Sequence, residues 1–117
     1  MRTEAEILEA VADGYESGRY GWLQGAYEHG SEAFCSMGAI FHEHRLSVTE
    51  VYGYSSLREY QERSKPVERA QERLNEALGL DGAGSIILWN DTHGRTKDEV
   101  IDAFKNAAKN ARNQETP

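Results

Sequence analysis

The sequence has 117 residues, 38% hydrophobic and 28% charged, enough for one domain burying roughly two-thirds of its unfolded surface and too apolar for a wholly disordered chain. Thirteen Lys and Arg against twenty Asp and Glu leave a formal net charge of −7, which disfavours nucleic-acid or anionic-membrane partners. A single cysteine, Cys35, excludes an intrachain disulfide and a Cys-only zinc cluster, and points to a reducing compartment.

Acids at Glu4 and Glu6 stand where a signal peptide needs a basic region. The longest purely aliphatic or aromatic run, Ile86-Ile87-Leu88-Trp89, falls far short of the ~20 residues that cross a bilayer, so a cytoplasmic location is expected. Thr3 and Glu6 form a T-x-x-E capping box, and Ile7, Leu8, Val11, Ala12 and Tyr15 follow as one apolar stripe. These predict a helix at about 4–16, with Gly14 and Gly18 marking its end.

Between Gly18 and Gly30, glycines and aromatics punctuate the chain too often for a helix, and the segment reads as a turn and a short extended stretch. Ser31 offers a cap for the apolar run Glu32 to Phe41, the expected central helix at about 32–44. Gly38 inside it costs about 1 kcal/mol against Ala, which suggests close approach by a backbone or an aromatic ring. Val48, Val51, Leu57 and Tyr60 are spaced to anchor an irregular or partly helical excursion.

Ser64 with Pro66 just inside predicts a helix at 65–78, with Val67, Ala70, Leu74, Ala77 and Leu78 as its stripe. Its charged face, Lys65, Glu68, Arg69, Glu72, Arg73 and Glu76, reads as solvated. Gly82-Ala83-Gly84 reads as a loop, and Ile86 to Trp89 as a short extended segment. Thr96 and Glu99 repeat the capping box and predict a last helix at 96–111, followed by a frayed tail at 113–117.

The unusual residue types concentrate in three blocks, W-L-Q-G-A at Trp22, C-x-x-G-A-I at Cys35 and W-N-D-x-x-G-R-T-x-x-E-V at Trp89. With these blocks the chain resembles a family of small bacterial and phage domains of unknown function. The resemblance runs from about Leu8 to Ala108, and 48–64 has no counterpart in it. It implies no activity.

Three chemical readings remain. Cys35, in the early turns of a helix, is a candidate nucleophile, with His93 as base and Asp91 or Asn90 as orienter. Against this, a free cysteine in an apolar run is an ordinary small core residue. His42 and His44 are two apart and face different ways on a helix, so a metal site with His29, Glu43 and Cys35 is not expected, and the two histidines should lie at the wet end of the central helix. Trp89, Asp91, His93 and Arg95 lead into a helix N-terminus at Thr96 and could hold a small anionic ligand or a partner, while turn and cap formation accounts for Asn90, Gly94 and Thr96. Tyr52 and Tyr54 are the candidate partner-contact residues of the central excursion.

The expected fold is therefore mainly α, a single domain over 1–112 with about four helices and a small two-stranded element from 22–27 and 86–89. The expected function is a non-catalytic binding or regulatory domain with a protein partner; a phage or prophage origin and a host target rest on the resemblance alone. Alternatives are a thiol-dependent hydrolase or transferase using Cys35 and His93, and an anion-binding domain near Arg95 and Thr96. No cofactor, metal, nucleic acid or membrane is expected, and a homo-oligomer is left open.

Overall fold

In a computed structural model the described residues are 2–30, 32–47 and 57–115. They form a mainly α fold with elements in the order α1 (Glu4–Ser17), β1 (Gly21–Trp22), β2 (Glu28–His29), β3 (Ala33–Phe34), α2 (Ser36–Ser47), α3 (Leu57–Leu78), α4 (Gly82–Asn90) and α5 (Lys97–Glu115).

Helix α1 starts and stops where its sequence signals stand. Thr3 Oγ1 accepts from Glu6 N, Glu6 Oε1 accepts from Thr3 N, and Gly18 closes the helix at φ +79°, a conformation that disfavours any side chain. Its stripe packs along α5, and α3 lies against both. Ile7, Leu8, Val11, Tyr15, Leu74 and Phe104 are fully buried in the resulting core. The second capping box is also formed, with Thr96 N donating to Glu99 Oε1 at 3.0 Å and Glu99 N to Thr96 Oγ1 at 3.2 Å. Helix α5 runs on to Glu115, past the expected end, and Arg112 pairs with Glu115 in its last turn.

Other expectations are corrected. The central helix begins at Ser36 rather than at 32, because Ala33–Phe34 is a strand: β3 pairs parallel with β1 and antiparallel with β2, and lies between them. The 86–89 run is helical within α4, and the Gly82-Ala83-Gly84 loop forms the start of that helix. A short apolar run has no periodicity to separate a buried strand from one buried helical turn, which is why the two-stranded element was misplaced. Pro66 lies inside α3, not in its first turn. Upstream, Leu57-Arg58-Glu59 and Gln61-Glu62-Arg63 are good helix formers, which favours continuing the helix on the N-terminal side of the proline.

Arg73 is not part of a wholly solvated face: its Nε donates to Glu4 Oε2 at 2.7 Å and ties α3 to α1. Tyr52, Tyr54, Val48, Val51 and Ser31 lie outside the described residues. Among the described residues no helix is long and apolar enough to cross a membrane.

Candidate functional site

The three sequence blocks meet around one buried amide. Asn90, at the end of α4, is fully buried, and its Oδ1 accepts from Trp22 Nε1 at 2.7 Å, Ser36 N at 2.9 Å and Ser36 Oγ at 2.6 Å. Its Nδ2 donates to Leu23 O at 3.0 Å and Asp91 Oδ1 at 2.9 Å. Gln24 Nε2 donates to the carbonyls of Asn90 and Thr92, and Gly25 N to Asp91 Oδ1. The first block is thus threaded over the α4 terminus through side chain to backbone bonds, as buried polar groups require.

Arg95 and Thr96 are engaged in the same structural way. The Arg95 guanidinium lies over the Trp89 ring at 4.2 Å, Nε donates to Trp89 O, and Nη1 pairs with Glu99 Oε2 at 2.9 Å. Glu99 Oε1 takes the Thr96 N–H that an anion at this helix start would use. His93 is exposed on the intervening turn, and no hydrogen bond or ion pair among the described residues involves its side chain.

Cys35 is buried at the junction of β3 and α2, where its sulfur accepts from Gly38 N at 3.4 Å. Burial pushes its thiol pKa up from the ordinary 9.0, more than N–H donation from Gly38 and Met37 lowers it, and the Asp91 charge raises it further. Cys35 and Asp91 line one small cavity of about 110 Å³ with Gly25, Ala26, Tyr27 and Ile87. His93 is not among those lining residues, and Asp91 Oδ1 is turned to Gly25 and Asn90. The fold therefore brings Cys35 and Asp91 together without engaging the imidazole as a base.

The histidines of α2 are not at a wet helix end. His44 is buried, and His42 is half-buried and stacked on Phe34 with ring centroids 4.3 Å apart. Between them Glu43 is fully buried, a placement sequence reasoning missed. Its carboxylate accepts from Arg2 Nη1 at 2.7 Å, Tyr20 OH at 2.8 Å and Arg19 Nη2 at 3.2 Å. Burial pushes the Glu43 pKa up, but the Tyr20 and Arg2 hydrogen bonds and both arginine charges outweigh it and hold the carboxyl below the ordinary value. Among the described residues no three His, Cys, Asp or Glu side chains are grouped to hold a metal ion.

A concavity of a different kind lies on another face. A groove of about 510 Å³ opens between the β2 segment and helices α2 and α3, with Tyr27, Gly38, Phe41 and Val67 as apolar walls and Glu28 and Arg45 among its lining. Tyr27 and Phe41 remain 51% and 40% exposed, with their rings 6.4 Å apart. The wall is fixed at its base: Cys35 N donates to Tyr27 O at 3.0 Å, and a Cβ on Gly38 would lie 2.0 Å from that oxygen. The close approach foreseen for Gly38 is therefore to backbone.

The model of a family of unknown function, DUF6197, matches residues 1–110. The chain belongs to this family. No curated protein and no solved structure gives a match.

Two sequence signals could have exposed what was missed. Glu43 follows Met37 and Ile40 at three-residue steps, so the apolar stripe of α2 carries it inward. The groove had only one sequence sign, the glycine at position 38, because its walls come from three separate segments.

Proposed function

We propose that the chain is a non-catalytic binding domain that holds an apolar group of its ligand in the groove between Tyr27, Phe41 and Val67. One observation carries this reading: two aromatic rings stay exposed around a concavity of about 510 Å³, within the size range of ligand pockets, and their backbone supports are fixed before any ligand arrives. The candidate orienters of the thiol reading, Asn90 and Asp91, have partners in the amide network, and Arg95, the candidate anion-binding residue, is engaged with Trp89 and Glu99. A buried thiol with a raised pKa is a poor nucleophile, which favours binding over thiol chemistry.

The test is a ¹⁵N-resolved NMR titration with N-acetyl-L-phenylalaninamide, an uncharged apolar probe. Saturable shifts confined to the amides of Tyr27, Gly38, Phe41 and Val67, abolished by Phe41→Ser, are the expected result. Shifts that scatter over the surface or never saturate would remove the groove as a binding site.

A further inference from the structure

Glu28 and Arg45 line the groove with opposite charges, and their contact is loose. Arg45 Nη2 and Glu28 Oε2 are 3.5 Å apart, with the two side chains 61% and 49% exposed. An exposed pair of this kind contributes little to stability, so its two ends can be exchanged for outside partners at small cost. Next to them stand the aromatic walls of Tyr27 and Phe41 and the buried aliphatic Val67.

An apolar wall beside a carboxylate and a guanidinium that hold each other only loosely is complementary to a molecule that carries an ammonium, a carboxylate and an apolar side chain on one carbon. We propose that the groove binds a free α-amino acid with an aromatic or branched aliphatic side chain. The ammonium takes Glu28, the carboxylate takes Arg45, and the side chain lies against Tyr27 and Phe41. Charge-assisted bonds of this type are about twice as strong as neutral ones, and the guanidinium fork fits a carboxylate. A residue inside a polypeptide offers neither terminal charge, which is why the charge pair selects the free amino acid over a protein side chain. The proposal rests on the groove being a binding site.

The experiment compares L-phenylalanine and L-leucine with three phenylalanine relatives: hydrocinnamate, which lacks the ammonium, phenethylamine, which lacks the carboxylate, and N-acetyl-L-phenylalaninamide, which lacks both charges. Binding is read from the amides of Gly38 and Phe41 by NMR. The free amino acids should bind at least about tenfold more tightly than any of the three. Two exposed substitutions then give a crossover that a change in stability alone would not produce. Glu28→Gln should weaken L-phenylalanine and strengthen hydrocinnamate, by releasing Arg45; Arg45→Met should weaken L-phenylalanine and strengthen phenethylamine. If the uncharged amide binds as well as L-phenylalanine and neither substitution matters, the amino-acid assignment is overturned while the groove stands. If no compound shifts Gly38 or Phe41, both fall.

Discussion

Ser36 gives both its backbone N–H and its hydroxyl to a single oxygen of Asn90, at 2.9 and 2.6 Å, so the first residue of α2 is clamped to the last residue of α4. The same oxygen receives the Trp22 indole, which adds β1 to the junction. Asn90→Ala leaves the Ser36 N–H, the Trp22 N–H and the Leu23 carbonyl without this partner. Each buried orphan costs about 1–3 kcal/mol, against a total stability of about 5–15 kcal/mol for an ordinary domain. A fall of at least about 3 kcal/mol in urea unfolding is expected. Asn90→Asp keeps the shape and should also destabilise, because the group that donates to Leu23 O and Asp91 becomes an acceptor. A variant unfolding at the wild-type urea midpoint would show the network to be dispensable.

Glu43 makes a part of the stability depend on acid. Its folded-state pKa lies below the ordinary 4.5, so its contribution is complete above that value and is lost as the pH falls through the folded pKa. Glu6, Glu9 and Glu99 are shifted in the same direction, so the whole-protein curve mixes several carboxylates. Comparison with Glu43→Gln isolates the one. The variant should be less stable at pH 7, with the Arg2 and Arg19 contacts weakened, and the gap to wild type should narrow below pH 4.5. Thermal midpoints across that range test it; a gap independent of pH would mean that Glu43 is not the charged centre of the cluster.

What was legible in the sequence was whatever the chain specifies locally. The ends of α1 and the start of α5 are encoded in capping boxes, where hydroxyl and carboxylate lie three residues apart and act on their own backbone. The Ile86 to Trp89 run was misassigned because its burial is supplied by the rest of the fold: Ile86 sits fully in the core while Leu88 is 74% exposed, and no local pattern distinguishes them. The Trp89 to Glu99 block lies within the 1–110 family match, but its chemistry is not legible in the sequence. Asn90 and Arg95 look like site residues until their partners at Trp22, Ser36 and Trp89 are known, and two of those lie more than fifty residues away.

Gly38→Ala tests the foundation of the groove. The added methyl would sit 2.0 Å from Tyr27 O, and both sides of the contact are backbone, so neither can rotate away. Overpacking of this kind costs about 1–3 kcal/mol or more, despite the better helix propensity of Ala. Loss of stability is expected, together with displaced Tyr27 and Phe41 resonances. A stabilised Gly38→Ala protein with an unchanged spectrum would mean that the β2 segment does not lie against α2 as described.

Cys35 decides between touch and bond-making. Burial holds its thiol above the ordinary 9.0, so alkylation of the native protein by iodoacetamide should be slow at neutral pH and gain no inflection below pH 9. The carboxylate of Asp91, which lines the same cavity, disfavours the thiolate further. Reaction should therefore accelerate in urea in step with unfolding. Cys35→Ala removes only a small packed sulfur and its weak bond from Gly38 N, and is expected to cost about 1 kcal/mol and to leave groove binding intact. An inflection near neutrality that moves when His93 is replaced by Gln would place an imidazole beside the sulfur and restore the thiol enzyme.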